Sequence, residues 1–397
     1  MRVSTSGAFA SGQSAMQRLQ AALDFTQRQI SSGRRILTPS DDPIGSARAI
    51  EIRESISRLE QFDRNATIAT NRLSQEESAL SSVNNVLQRV RELAVQANNG
   101  TQTNETRRLI AVELRQNLDA LVQIANQKDG NGSYLFAGNL EGAAPVTRSG
   151  GSYTYNGDQG QRFIQIGESR QVADGDSGAA IFFAIRNGNG TFNTSASVSN
   201  TGTAILSESG VTDPTAWDQG RYTVRFTGAN NYDVLDASAA VVSTGTFNPG
   251  DTIAFRGIEF AIDGAPLGGD EFFVAPSRNQ DVFSMVNELA TALEQGSSDA
   301  SSQAVLTTTI NAGLTNMDQA IGNILDTRIQ VGSRLAAIEN QVDSNGSFVL
   351  NYRETLADIE DLDYAEALSR LSLEVTTLEA AQQSFIRTQS LSLFNYL

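Results

Sequence analysis

Carboxylates are the side chains of this chain that could support chemistry, because it contains no histidine and no cysteine. Without those residue types there is no imidazole base, no thiolate nucleophile and none of the usual nitrogen or sulfur ligands of zinc. What remains is acid–base work by paired carboxylates, or a metal ion held by oxygen atoms. These limits exclude most common enzyme mechanisms, and we expect no catalytic role and no cofactor.

Three acidic or glycine-rich segments are candidate sites, and each has a simpler structural interpretation. Asp174-Gly175-Asp176 could be part of a calcium loop, but it lacks the full set of spaced ligands and the terminal glutamate, so a turn is expected. Asp41-Asp42, and Glu360-Asp361 with Asp363, are expected to cap helix starts. Asn187-Gly188-Asn189-Gly190 has no nucleotide-binding pattern and is expected to form a hairpin turn. No catalytic, cofactor-binding or metal site is therefore predicted.

Charge and hydropathy exclude two classes of partner. The net charge of −16 argues against nucleic acid. No stretch approaches the roughly 18 apolar residues that a membrane helix needs, so we expect no membrane insertion. Residues 1–7 lack the charged and apolar regions of a secretory signal peptide. The protein is therefore expected either in the cytoplasm or outside the cell by a route without a cleaved signal.

Hydrophobic spacing predicts helical ends and a strand-rich middle. Apolar side chains recur at intervals of three and four up to about Gln127 and again after Pro276, with breaks expected at Gly33 and at Ser344-Asn345-Gly346. One such stripe runs from Ile52 to Ala94, and another, from Ile310 to Val342, has the spacing of a coiled-coil seam. In the middle, apolar residues alternate with polar ones, as in half-buried strands. They include Tyr222, Val224 and Phe226, and also Ile258, Phe260 and Ile262.

The predicted fold class is α+β multidomain. The N- and C-terminal helices pair into a long α-helical coiled-coil rod, which carries an inserted antiparallel β outer domain. The expected boundaries are residues 1–43 with 358–397 for an inner terminal-helix domain, 44–132 with 281–357 for a helical rod domain, and 133–280 for the inserted β domain.

The terminal helices carry apolar stripes that have no third local element to pack against. A helix pair leaves much of such a stripe in water, although burying a large apolar side chain fully contributes about 1.5 to 3 kcal/mol. We therefore expect neighbouring copies to cover the stripes, and the free ends to be marginal as helices. The predicted seam residues are Leu19, Leu23, Ile30, Leu368, Leu371, Val375, Leu378 and Phe385.

Two segments resemble signatures of the flagellin superfamily. Residues 30–43, ISSGRRILTPSDDP, resemble its N-terminal signature, and residues 358–367, DIEDLDYAEA, resemble its C-terminal partner. Within the superfamily, residues 1–5, 132–138 and 269–277 are similar to the branch that joins the flagellar hook to the filament. The resemblance implies terminal helices paired in an inner domain and a variable outer β domain.

The resemblance also implies a structural role in the bacterial flagellum. The subunit would leave the cell by the flagellar type III export route and self-assemble through its terminal helices. The implied partners are identical subunits in a tubular layer, the other hook–filament junction protein, flagellin, and an export chaperone on the C-terminal helix. Filament flagellin itself stays open as an alternative, as does a surface adhesin or enzyme carried in the β domain.

Overall fold

The structure is a computed structural model that describes residues 5–140 and 142–390. Its helices are α1 (Thr5–Ser32), α2 (Pro43–Ala97), α3 (Asn104–Ala125), α4 (Val282–Gln295), α5 (Ala300–Glu360) and α6 (Tyr364–Ser390). Its strands are β1 (Val146–Ser149), β2 (Ser152–Tyr155), β3 (Phe163–Gln165), β4 (Gln171–Ala173), β5 (Ile185–Arg186), β6 (Phe192–Ala196), β7 (Ile205–Val211), β8 (Tyr222–Gly228), β9 (Asn231–Leu235), β10 (Val241–Thr246), β11 (Thr252–Phe255), β12 (Ile258–Asp263), β13 (Glu271–Pro276) and β14 (Asn279–Gln280). A π-helical turn spans Ala179–Phe183.

Contacts divide the chain into two compact units. The terminal unit comprises Met1–Arg64 and Asn340–Leu397, and the central unit comprises Asn65–Glu339. Helices are combined with antiparallel strands, which confirms the predicted α+β class at that level. The division into three domains and the coiled-coil rod stay predictions. Within the described ranges, no helix is both long enough and apolar enough to cross a membrane.

The two long helices bury the apolar faces that their spacing predicts. The buried side chains on α2 include Ile52, Leu59, Ala66, Leu73, Leu80, Leu87 and Ala94. Those on α5 include Ile310, Met317, Ile321, Ile324, Val331 and Ile338, whereas Val342 at the end of the predicted stripe is half-buried. In the middle of the α5 stripe, Arg328 lies only half-buried, and its guanidinium is 2.6 Å from the Glu77 carboxylate of α2. An arginine therefore fits this face because a carboxylate on the adjacent helix pairs with it.

The predicted break at Ser344-Asn345-Gly346 is wrong, because α5 runs without interruption from Ala300 to Glu360. Asn345 is buried, and its amide forms hydrogen bonds with side chains on α2 and α5. Its Nδ2 donates to Asp63 Oδ1 at 3.0 Å, and its Oδ1 accepts from Gln341 Nε2 at 2.9 Å. Tertiary hydrogen bonds thus hold in a helix a tripeptide whose intrinsic preference is for turns.

In the central unit, side-chain caps set the starts of two helices that pack together, α3 and α4. Thr103 and Thr106 form a capping box, in which each side chain accepts a hydrogen bond from the backbone N–H of the other residue. Asp281 caps α4 by accepting from Ser284 N at 2.7 Å. Arg115 of α3 then reaches Glu294 of α4 at 3.0 Å. The pair is thus fixed at its ends by caps and along its side by an ion pair.

Two sheets of the central unit pack face to face over an apolar core. Their strand orders are β10-β9-β8-β13-β6 and β11-β12-β7. The core takes Val224 and Phe226 from β8 and Phe260 and Ile262 from β12, so the predicted alternation on these strands is confirmed. The Phe226 ring meets the Phe272 ring edge-on, with centroids 5.9 Å apart. The middle of the chain therefore has a hydrophobic core of its own. Smaller antiparallel pairs join β1 to β2, β3 to β4 and β5 to β14.

The segment Asn187-Gly188-Asn189-Gly190 is a turn, but the prediction of a hairpin is wrong. It lies between β5 and β6, which pair with β14 and β13 rather than with each other. The Asn189 side chain accepts hydrogen bonds from Thr191 N at 3.0 Å and from Phe192 N at 2.9 Å. The turn is thus closed by an asparagine side chain instead of a strand ladder.

A buried charged network joins α2 and α5 to two loops of the central unit. One loop precedes β1 and contains Asp129, and the other follows β4 and contains Asp176. Arg334 of α5 binds Asp176, with Nη1 2.8 Å from Oδ2. Arg72 of α2 binds Asp129 at 3.2 Å. Between them lies Glu76 of α2, which is 2% exposed and accepts a hydrogen bond from Asp176 N at 3.1 Å. Among the described residues, no donor reaches its second oxygen, Oε2.

Desolvation by burial, with a smaller contribution from the nearby Asp176 carboxylate, raises the pKa of Glu76 from its ordinary 4.5 to about 8. The Arg334 and Arg72 guanidiniums and the hydrogen bond from Asp176 N act in the opposite direction. Glu76 is therefore a neutral carboxylic acid at neutral pH. The folded protein keeps this proton up to about pH 8, whereas the unfolded chain releases it near pH 4.5, so stability falls as the pH rises through that interval.

Replacing this acid by its neutral isostere tests the assignment. We expect Glu76→Gln to leave the melting temperature nearly unchanged at pH 5 and to raise it at pH 8.5. The gain there is a few kcal/mol, since one pKa unit corresponds to about 1.4 kcal/mol. The measurement is thermal unfolding of both proteins between pH 5 and pH 9. Glu77→Gln, which changes the adjacent and partly exposed carboxylate of α2, is the control for removing one acidic side chain from this helix. Equal effects of Glu76→Gln at all pH values would contradict a raised pKa.

Candidate assembly site

In the terminal unit, α1 packs against α6. The Phe9 ring of α1 contacts the Phe385 ring of α6, with centroids 4.9 Å apart. A Cβ atom added at Gly12 would lie 3.0 Å from the Phe385 ring. The small residue at position 12 therefore allows the aromatic side chain of α6 to lie directly on the α1 backbone.

The predicted seam residues fall into two groups in the structure. Six of the eight are half-buried, and two on α6 are exposed: Leu368 at 53% and Val375 at 39%. The half-buried residues are Leu19, Leu23 and Ile30 of α1 and Leu371, Leu378 and Phe385 of α6. Their role in assembly stays a prediction. The structure adds that part of the predicted α6 seam faces outward in the single chain.

Ile386 extends the outward-facing part of α6, although the seam prediction did not include it. It is 63% exposed and follows Val375 by eleven residues, or about three turns, so the two lie on one side of the helix. Leu368 precedes Val375 by seven residues and lies on the same side. We call Leu368, Val375 and Ile386 the outer stripe of α6. Continuing the seven-residue spacing from Val375 reaches Gln382, so an eleven-residue step is needed to find Ile386.

Backbone hydrogen bonds join the two signature segments. Arg35 N donates to Glu360 O at 2.7 Å, and Leu362 N donates to Gly33 O at 3.0 Å. Arg34 and Asp361 thereby form an antiparallel bridge. Gly33 has φ of +72°, a left-handed conformation that ends α1 and turns the chain toward its partner segment. We call residues 33–42 and 359–364 the joint.

Arginine side chains reinforce the joint. The Arg35 guanidinium donates to Ile359 O, at 3.2 Å from Nε and 2.8 Å from Nη2. Arg53 of α2 forms a hydrogen-bonded ion pair with Glu360. Glu360 is the last residue of α5, so its expected place at a helix start is wrong. The Glu360 carboxylate instead binds Arg53 of α2. The Arg35 guanidinium donates hydrogen bonds to a carbonyl at the C-terminal end of α5, where the helix dipole favours positive charge.

Aspartates cap the helices that leave the joint, as expected for Asp42 and Asp363. Asp42 accepts from Gly45 N at 2.9 Å at the start of α2, and Asp363 accepts from Ala365 N at 2.9 Å at the start of α6. Asp41 instead binds the preceding turn, since its Oδ2 accepts from Thr38 N at 2.7 Å and Leu37 N at 3.0 Å. The Thr38 backbone N–H is the main cause that lowers the pKa of Asp41.

The acidic residues of the central unit do not gather around an ion-sized space. Asp174 accepts from Arg162 Nε at 2.8 Å, and Asp176 binds Arg334. Among the residues that the structure describes, no three acidic side chains are placed to hold a metal ion together. The carboxylates of this segment hold the fold together through arginine.

Comparison with known proteins gives relatives in the same superfamily that the two signature segments at the joint indicate. The family model of the bacterial flagellin N-terminal helical region matches residues 3–141. The crystal structure of FlgL from Xanthomonas campestris is 35% identical in sequence, with a TM-score of 0.73, over 77% of this chain and 99% of that one. The flagellar junction protein FlgL from Legionella pneumophila is 32% identical, with a TM-score of 0.72, over 79% of this chain and all of that one.

The chain belongs to the FlgL family. Flagellar hook-associated protein 3 of Salmonella typhimurium is 26% identical to it over 395 residues, 99% of each chain. This correspondence includes the β-rich middle, whereas the flagellin model ends at residue 141. The resemblance to the flagellin superfamily, and within it to the hook–filament branch, is thus confirmed.

The left-handed glycine of the joint can be tested by adding a single methyl group. In Gly33→Ala the Cβ would lie 3.0 Å from Tyr364 Oη, and the positive φ costs about 1 to 2 kcal/mol for other residues. We expect lower stability in urea and faster amide hydrogen exchange at Arg35 and Leu362.

The matched control is Gly346→Ala, in the interior of α5, where an added Cβ meets no atom within 4 Å. Alanine should stabilise this position by about 0.5 to 1 kcal/mol. If Gly33→Ala behaved like Gly346→Ala, the backbone bridge would not depend on the glycine.

Proposed function

We propose that the chain is a structural subunit of the bacterial flagellum that joins the hook to the filament. The observation that carries this proposal is its correspondence, over nearly the whole length of each chain, to flagellar hook-associated protein 3. Proteins of this name and of the FlgL family are structural flagellar proteins rather than enzymes. The composition agrees with such a role, since the chain has neither histidine nor cysteine.

Assembly proceeds through the terminal helices. The outer stripe of α6 leaves three large apolar side chains in contact with water, and a second copy can cover them. Full burial of one such side chain contributes about 1.5 to 3 kcal/mol, so the outer stripe alone adds several kcal/mol to each contact. Within one chain, α6 already packs against α1. The outer stripe of α6 would therefore pack against a neighbouring copy, in a coiled-coil layer of identical subunits. Leu19, Leu23 and Ile30 would form the α1 side of this inner domain.

The proposed partners follow from the place of such a layer. Identical copies form the tube, the other junction protein lies on the hook side, and flagellin continues on the filament side. Before assembly, the outer stripe of α6 is the surface that an export chaperone would cover. The protein would act outside the cell and leave it without a cleaved signal. Residues 1–43 with 358–397 would form the inner domain, 44–132 with 281–357 the helical domain and 133–280 the outer β domain.

Removal of the gene from its own organism tests the role directly. We expect electron micrographs of the deletion strain to show hooks without attached filaments, and the intact gene to restore filaments. Labelling of the protein on cells should give one band at the base of each filament. Label along the whole filament would instead identify a filament flagellin and reject the junction role.

A separate experiment tests the outer stripe. We expect Leu368→Asp and Val375→Asp to abolish filament attachment while the purified monomer keeps its melting temperature, because both positions are exposed in the single chain. Leu373→Asp is the matched control, since Leu373 is 68% exposed but lies on the opposite side of α6. If Leu373→Asp impaired attachment as strongly as the other two changes, the outer stripe would have no specific role.

A further inference from the structure

The outer face of the five-stranded sheet carries a cleft of about 670 Å³, a volume within the range of roughly 300 to 1,000 Å³ of ligand pockets. Its floor consists of the side chains of β6, β8 and β13 that point away from the apolar core. Phe273 of β13 lies between Thr223 of β8 and Ser195 of β6 in one row across the sheet. The next row places Ala275 beside Asn193. The floor is therefore an exposed aromatic ring framed by hydroxyl and amide groups.

Two arginines line the cleft at the end of these rows. Arg221 precedes β8 and Arg278 follows β13, and both side chains are exposed. Within the described residues, neither guanidinium has a carboxylate or hydrogen-bond partner. By contrast, Arg225 on the same sheet face is already paired with Glu271 at 2.7 Å. The cleft thus holds two cations that the fold itself does not use.

An acidic side chain completes the lining. Asp236 follows β9, and a hydrogen bond from the Ser238 hydroxyl is the main cause that lowers its pKa. Its Oδ1 accepts from Ser238 N at 2.8 Å and from Ala240 N at 3.0 Å, so it remains a charged acceptor at the edge of the cleft. A carboxylate there can accept a hydrogen bond from a hydroxyl group but repels a second anion.

We propose that this cleft binds an acidic carbohydrate, a short glycan whose sugar rings carry carboxylates. An exposed ring such as that of Phe273, which is 39% accessible, offers an apolar surface to the C–H face of a sugar. Thr223, Asn193 and Asp236 supply hydrogen-bond partners for hydroxyl groups. Arg221 and Arg278 bind the carboxylates with the planar, paired geometry that guanidinium favours.

Charge argues for a short glycan over a dense polyanion. The chain has a net charge of −16, which repels nucleic acid and other highly charged polymers at long range. An oligosaccharide with one charge per sugar presents few anions to the cleft and many hydroxyl groups. Such binding goes beyond the structural role in the flagellum and does not depend on it.

The test uses the full-length protein and two ligands. One is an oligogalacturonate short enough to fit the cleft, and the other is its methyl ester, which keeps the sugar rings and removes the charges. We expect calorimetry to detect the acid form, to find at least a tenfold weaker affinity for the ester, and to show weaker binding at higher salt concentration. Arg221→Gln, Arg278→Gln and Phe273→Thr should each lower the affinity about tenfold or more. These sites are exposed, and unchanged melting temperatures would show that the variants fold.

Arg170→Gln, an exposed arginine outside the cleft, is the matched control and should bind as the parent protein does. Equal binding of acid and ester, or full affinity in the Arg221 and Arg278 variants, would overturn the proposal. Tighter binding of a glutamate-rich peptide than of the oligogalacturonate would identify the occupant as an acidic protein segment and would also overturn it. Filament attachment in the same variants is expected to be normal, so failure of this proposal is distinguishable from failure of the junction role.

Discussion

The backbone bridge between residues 33–35 and 360–362 is the contact on which the terminal unit depends. It brings together segments that are more than three hundred residues apart in the sequence. Helix α1 ends at this bridge, and α6 begins just after it. Gly33 supplies the left-handed turn, and Arg35 and Asp363 satisfy backbone groups that helix ends leave unpaired. The pairing of α1 with α6 follows, since both helices leave the same point. Closing so long a loop is unfavourable in entropy, and the bridge is stable because helices on either side of it pack as well.

Apolar periodicity predicted the helices and strands well, because it reports which face of an element must be buried. Most side chains of the α2 and α5 stripes are buried, and so are the alternating apolar residues of β8 and β12. The same spacing could not tell which part of the α6 seam meets α1. A three-residue step falls about 60° short of a full helical turn, so Leu368 and Val375 lie beside the half-buried strip that begins at Leu371 rather than in it.

What sequence patterns missed depends on residues that are distant along the chain. Asn345 stays helical because Asp63 lies opposite it, and nothing local to residues 344–346 announces that partner. Glu76 looks like a surface residue of a long helix until the Asp176 loop covers it. The cleft on the β-sheet likewise combines side chains from distant parts of the chain. Arg221 and Arg278 both line it, and no sequence pattern around either residue shows that the two are neighbours.

The β-sandwich has its own apolar core, separate from the side chains that the long helices bury. Substitutions on its outer faces and turns therefore cost little in helix packing, and the helical parts can remain nearly fixed while this region diverges. For evolution, this makes the sandwich the part of the protein where new surface properties can arise without disturbing assembly. For protein engineering, it makes the exposed turns of the sandwich the natural positions at which to insert a foreign peptide for display.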